Sequence, residues 1–276
     1  MVANRVRIDG IELSYVDQGE GRAVVFVHGG MSDYRCWDAH RPSIGLRYRV
    51  IALTQRYFGS SPWPDDGRNF SMQVHANDLA AFIGALRLDP VSIVGWSYGA
   101  AVGLAMAVQH PSLVERLFLY EPGLATFVTD PADAARAVND RLQSMNAAKA
   151  AVNGGDIDRA VQLLMDGVND RDGAFGQLPD QIRGVMLENG RILSLLFASS
   201  PGPSITCADL GRLGIPVSIV VGEDSRVFYR IVAEAAHRCI AGSKLIKVPN
   251  ARHLWPGQNP AAFSQLVLDF LDRDSS

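Results

Sequence analysis

The chain has 276 residues, of which 47% are hydrophobic and 20% charged, with a net charge of −3; that length suits one large domain, or one domain carrying an insertion. No run of like charges suggests nucleic acid or an anionic membrane as a partner, and no apolar run approaches the roughly 20 residues that cross a bilayer. The opening MVANRVRIDG has charges but no apolar core, which predicts no secretory signal.

Residues 5–18 read as a β-hairpin turned at Asp9-Gly10. Short runs rich in Val and Ile follow at Ala23–Val27, Val50–Leu53, Val91–Val94, Leu117–Tyr120, Val217–Val221 and Leu245–Val248. Apolar on both faces, they predict strands of a parallel sheet covered on both sides. Helical patterns separate them. Met72, Ala76, Leu79, Ile83 and Leu86 line one helix face, with Ser71 at the cap. A helix from about Tyr98 to Gln109 follows the third run. Near the end, Asn259 as cap and Pro260 in the first turn open a helix that points Phe263, Leu266, Val267, Phe270 and Leu271 inward. Strands alternating with helices after an antiparallel start predict an α/β sheet protein.

The alternation breaks from Gly123 to about Gly214, where three helices and no strand are expected. The first starts at Asp130-Pro131, carries Val138, Leu142, Met145 and Val152, and stops at Gly154-Gly155. The second, capped by Asp156, carries Ile157, Val161, Leu164 and Met165. The third runs through Ile182, Val185, Met186, Ile192, Leu193 and Leu196 and ends before Pro201. This gives a core of 1–122 plus 215–276 and a helical cap of 123–214, read as a lid over the carboxyl edge where open α/β sheets bind ligands. The cysteines Cys36, Cys207 and Cys239 are odd in number and scattered without a CxxC pair. They predict neither a disulfide framework nor a zinc site, and a reducing cytoplasm.

Ser97 sits in 95-GWSYG-99, between a strand and a helix. G-x-S-x-G carries little weight as a pattern alone. In this context it reads as a sharp turn that crowds the chain, lifts the serine hydroxyl into the open and aims the free N–H groups of the helix start at any anion beside it. Four segments, 25-VFVHGGM-31, 50-VIALTQRYFGSS-61, 95-GWSYG-99 and 250-NARHLWPGQNP-260, together resemble the α/β-hydrolase fold superfamily over nearly the whole chain. The resemblance implies a mostly parallel eight-stranded sheet flanked by helices, with an inserted helical cap.

A serine hydroxyl needs a base to become a nucleophile. His253 matches the family's histidine position, in a loop between the last strand and the last helix; His28, His40, His75, His110 and His237 read as packing or surface residues. The resemblance implies an oxyanion hole from the backbone N–H groups of Tyr98 and Gly30. Two carboxylates are candidates to orient His253. The family's usual acid slot, after the strand in 217-VSIVVGEDSRVF-228, holds Ser225, with Asp224 one residue early. Glu121 ends the preceding strand in 117-LFLYEPGL-124 and resembles members that carry the acid there. It ranks first, Asp224 second.

Serine as nucleophile argues against dehalogenase and epoxide-hydrolase chemistry. Met31-Ser32 after the HGG turn argues against peptidase activity. No cofactor motif or metal-ligand spacing is present. The expected reaction is hydrolysis of a carboxylic ester or lactone of a small to medium, mainly apolar molecule; carbon–carbon cleavage of a diketone-like substrate, or ligand binding without catalysis, is the alternative. Met31, Trp96 and Arg56 are candidate substrate contacts, Arg56 for a carboxylate. Phe127, Phe175, Leu178, Met145, Met165 and Met186 are expected around an apolar pocket.

Overall fold

The computed structural model describes residues 3–88, 90–199 and 202–272. Eight strands form one sheet: β1 (Asn4–Ile8), β2 (Ile11–Gln18), β3 (Ala23–Val27), β4 (Arg49–Leu53), β5 (Val91–Trp96), β6 (Val114–Tyr120), β7 (Val217–Gly222) and β8 (Lys244–Val248). Their order across the sheet is β1-β2-β4-β3-β5-β6-β7-β8. The β1/β2 and β2/β4 pairs are antiparallel and the other pairs are parallel. Every residue of β5 and β7 is buried, as the apolar runs require of strands covered on two faces. At the sheet's edge, β8 alternates Lys244 and Lys247 with half-buried Leu245, Ile246 and Val248, and edge lysines oppose pairing with a foreign strand.

The helices before the insert are α1 (Arg41–Ile44), α2 (Met72–Ala85) and α3 (Tyr98–Gln109). Between β6 and β7 lie α4 (Pro131–Asn153), α5 (Ile157–Asn169), α6 (Asp180–Glu188), α7 (Leu193–Ala198) and α8 (Cys207–Leu210). After β7 come α9 (Val227–Cys239), α10 (Trp255–Gln258) and α11 (Pro260–Leu271). The expected caps are in place: Ser71, Asp130, Asp156 and Asn259 each accept a first-turn N–H, worth about 1 kcal/mol apiece.

Two features of the insert depart from the sequence reading. Two of the four apolar residues that identify α4 are not ones it buries. Val138 and Leu142 are 57% and 47% exposed, while Ala137, Ser144 and Ala148 face inward. The reason is close helix packing: a Cβ on Gly167 of α5 would lie 2.1 Å from the Ser144 carbonyl oxygen, so small residues on both helices let their backbones meet. The third helix is broken into α6, a 3₁₀ turn at Gly190–Ile192, and α7. At the break, Asn189 turns its side chain to other work, accepting from Gly59 N–H at 2.7 Å and donating to Asp33 at 3.0 Å. Pro201, expected just beyond this helix, lies outside the described residues.

The cysteine reading is corrected. Cys207, in the first turn of α8, is disulfide-bonded to Cys239 at the end of α9, with Cα atoms 5.1 Å apart, and Cys36 is a buried free thiol. Neither count nor spacing carried that pairing, because the packing of α8 on α9 creates it; with it goes the sequence argument for a reducing compartment. Among the described residues no helix is long and apolar enough to cross a membrane.

His28, His40 and His75 are buried in the core. Burial holds His28 and His40 down at about 4 and His75 at about 3, against an ordinary 6.5. Each is neutral in the fold, while the unfolded chain takes up a proton below 6.5. Their contribution to stability is therefore intact above pH 6.5 and is lost as the pH falls toward 4, at up to about 1.4 kcal/mol per unit for each group. Denaturant titrations should give a clearly lower unfolding free energy at pH 5 than at pH 7, and equal values would contradict this account of the core. Thiol titration of the denatured, unreduced protein should find one reactive cysteine per chain; three would refute the Cys207–Cys239 bond.

Candidate active site

The register of the sheet brings the ends of five strands together. Val27 of β3 pairs with Gly95 of β5, and Trp96 pairs with Tyr120 of β6. Tyr120 pairs with Val220 of β7, and Gly222 pairs with Val248 of β8. The residues leaving these carboxyl ends, His28–Met31, Ser97, Glu121, Glu223–Ser225 and the loop to His253, therefore share one edge. The order reverses direction beside β3, and such switch points open a crevice above the sheet.

Ser97 turns the chain from β5 into α3 with φ 55° and ψ −113°, and its side chain makes no capping bond. That conformation costs a non-glycine residue about 1–3 kcal/mol. It is held by Ser97 N–H donating to the Tyr120 carbonyl at 2.9 Å and by Gly123 N–H donating to the Ser97 carbonyl at 3.1 Å. Gly99 is obligatory here: a Cβ would sit 2.2 and 2.4 Å from the Val27 and His28 carbonyl oxygens.

His253 Nε2 lies 3.0 Å from Ser97 Oγ, and His253 Nδ1 lies 2.6 Å from Glu121 Oε2. Glu121 is fully buried. Its second oxygen, Oε1, accepts the Gly222 N–H at 2.9 Å and the Ser225 hydroxyl. A carboxylate only accepts, so Nδ1 carries the proton and the Nε2 lone pair faces the serine hydroxyl. The His253 loop is pinned on three sides. Trp96 Nε1 donates to the His253 carbonyl at 3.1 Å, the Tyr120 hydroxyl donates to the Arg252 carbonyl at 2.7 Å, and Leu254 N–H donates to Asn169 Oδ1 at 2.9 Å.

Asp224 is not part of this arrangement. It is exposed, and its N–H donates to the Ala251 carbonyl at 3.1 Å. One residue further on, Ser225 points inward to Glu121, as the alternation of a strand exit requires.

Around Ser97 lies a narrow cavity of about 50 Å³. Gly30, Met31, Trp96 and Tyr98 line it, as do Met145, Met165, Met186 and Leu196 from the insert. Tyr98 opens α3, so its N–H is one of the four with no acceptor inside the helix. Its hydroxyl is 2.7 Å from His75 Nδ1, inside a cluster with Phe58 and Phe70. His28 bridges two loops, within 2.8 Å of the Gly29 carbonyl and accepting Gln55 N–H at 3.0 Å. Beyond it, Met31 has φ 61°. Asp33 anchors this loop to the insert. Burial alone would raise its carboxyl, but hydrogen bonds from Arg35 and Asn189 carry it below the ordinary value.

Arg56 is corrected: it does not reach the cavity. Its guanidinium is bound twice by Asp78, at 2.8 and 2.6 Å, and lines a separate groove with Arg5 and Arg7. Phe127, Phe175 and Leu178 are buried outside the cavity lining. Sequence reasoning missed two polar residues that do line it, Arg141 of α4 and Tyr229 of α9. Tyr229 stacks on the His253 ring, centroids 4.1 Å apart and planes 10° from parallel. Its hydroxyl accepts a hydrogen bond from Arg141 Nη1 at 3.2 Å. Burial pushes it up to about 12, so the hydroxyl keeps its proton at neutral pH. The amphipathic run 227-VFYRIVAEAAH-237 was the available signal for the helix that carries it. Among the described residues no group of three or more His, Cys, Asp or Glu converges to hold a metal ion.

The chain is 35% identical over 137 residues to the 2-hydroxy-6-oxo-2,4-heptadienoate hydrolase of Pseudomonas putida, a match spanning 48% of this chain and 49% of that protein. It is 26% identical over 278 residues to Serine hydrolase BPHL of Homo sapiens, spanning 97% and 85%. An esterase from Exiguobacterium antarcticum, 19% identical, superposes with a TM-score of 0.78 over 99% of this chain and 100% of that one. The model of the alpha/beta hydrolase family matches residues 24–266. The protein belongs to the alpha/beta hydrolase family.

Proposed function

We propose that the protein is a serine hydrolase that cleaves a carboxylic ester or lactone through an acyl-serine intermediate. The observation that carries this is the unbroken line from Ser97 Oγ to His253 Nε2 at 3.0 Å and from His253 Nδ1 to Glu121 at 2.6 Å. In this reading His253 takes the serine proton as Oγ attacks the carbonyl carbon, and returns it to the departing alkoxide. Glu121 holds the imidazole in its tautomer and stabilises the imidazolium. The N–H groups of Tyr98 and Gly30 receive the oxyanion, each worth about 2.7–4 kcal/mol in the transition state. Water then repeats the sequence and frees Ser97. The 123–214 segment serves as the lid, since it supplies Met145, Met165, Met186 and Leu196 to the cavity.

A second reading is carbon–carbon bond hydrolysis with the same residues. The Pseudomonas putida relative supports it by its name: a 2-hydroxy-6-oxo-heptadienoate has a ketone and a carboxylate but no ester, so its hydrolysis must break a carbon–carbon bond.

Turnover of p-nitrophenyl butyrate, with Ser97→Ala as the blank, tests the main reading. Glu121→Gln should lower kcat on the order of 10⁴-fold, as removal of the orienting acid does in other triads, and Asp224→Asn should change it by less than about threefold. A large loss confined to Asp224→Asn, or turnover that survives Ser97→Ala, would overturn the assignment.

A further inference from the structure

Arg141 is the one permanently charged side chain among the described residues lining the cavity at Ser97. It stands on α4 in line with Met145 and Lys149, spaced by four residues and so on one helix face. All three line a second, wider cavity of about 420 Å³, which shares Tyr98, Arg141, Met145 and Leu196 with the first. No aspartate or glutamate is among the described residues lining either cavity. The approach to Ser97 is therefore cationic in a chain whose net charge is −3.

The guanidinium of Arg141 is also under-used. Nη1 donates to the Tyr229 hydroxyl at 3.2 Å and the group lies 5.0 Å from the Phe228 ring centre, but no carboxylate among the described residues pairs with it. Its neighbour in sequence, Asp140, is committed to Arg226 through two hydrogen bonds. By contrast Arg35, Arg56 and Arg226 each grip an aspartate bidentately. A guanidinium offers five donors in a fork that matches a carboxylate, and a half-buried one without a counter-ion leaves much of that capacity unfilled.

The position limits what can fill it. Arg141 donates to the Tyr229 hydroxyl at 3.2 Å, Tyr229 stacks on the His253 ring, and all three line the same narrow cavity as Ser97. An anion held by Arg141 would lie a few covalent bonds from a carbonyl at Ser97. We propose that Arg141 binds a carboxylate of the substrate close to the scissile carbonyl, with Lys149 drawing the anion in through the wider cavity. The inference rests on the serine-hydrolase reading and adds the charge of its substrate.

The test compares monoethyl succinate with its neutral isostere ethyl succinamate, following ethanol release with Ser97→Ala as blank. The charged ester should be preferred at least tenfold in kcat/KM. Arg141→Gln should lower kcat/KM for the charged ester by roughly ten- to a hundredfold more than for the amide, with Arg141→Lys in between. Equal rates for the two esters, or equal losses on both in Arg141→Gln, would overturn the proposal and make Arg141 a brace between α4 and α9. Calorimetric binding of monoethyl succinate to the Ser97→Ala protein gives a second reading that needs no turnover. Adding Arg141→Gln should weaken it about tenfold or more, and unchanged binding would contradict the proposal. Ser97-dependent turnover of the amide without charge preference would sink this inference and leave the hydrolase reading intact.

Discussion

A carboxylate with no access to water has to find every partner inside the fold, and Glu121 does. It sits where β6 ends, one strand away from the turn that bears Ser97, and its three acceptor contacts come from two later parts of the chain: Gly222 and Ser225 at and just past the end of β7, and His253 after β8. An unpaired charge at that depth is strongly unfavourable. The carboxylate therefore fixes how β7 and β8 end relative to β6. The parallel register does the rest, because it sets the histidine loop at the height of the nucleophile.

Around this contact the chain accepts strain and then locks it. Ser97, Met31 and Glu121 all take positive φ, in a region that side chains with a Cβ seldom occupy. Ser97 and Glu121 lie just past strand ends, where backbone hydrogen bonds to Tyr120, Gly123 and Val220 hold the turns. Tyr229 closes the histidine from the other side by stacking on its ring. Asn169 and Asn189 tie the helical insert to the histidine loop and to the loops after β3 and β4. The insert is thus joined by hydrogen bonds to the segments that hold the site, and its helices supply most of the cavity's apolar wall.

Much of the fold was legible because the sheet is buried on both faces. A strand with no wet side reads as a run of Val and Ile, as Val24–Val27 and Val217–Val221 do, and the caps at Ser71 and Asn259 are local chemistry that needs no tertiary context. The pair Ser97 and His253 was legible for a similar reason: each lies in a short segment whose residues are dictated by the turn itself. Glu121 was readable as a charge at the end of an apolar strand, with Ser225 standing in the more usual acid position. What stayed hidden depends on helix packing. The small-residue contact of α4 with α5 turned Val138 and Leu142 outward, and the meeting of α8 and α9 paired Cys207 with Cys239. Arg56 does not reach the cavity because its guanidinium is engaged by Asp78, while the arginine that lines the cavity is Arg141. Nothing in the sequence around residue 141 distinguishes it from any solvated helix arginine, since its role depends on which way α4 is rotated.

The central claim is that His253 makes the Ser97 hydroxyl a nucleophile. Reaction with a fluorophosphonate, followed by intact mass and peptide mapping, tests it most directly. The account predicts a single adduct on Ser97 that forms rapidly in the native protein and is all but abolished by His253→Ala. An adduct elsewhere, no adduct at all, or labelling of Ser97 undiminished without His253 would contradict it.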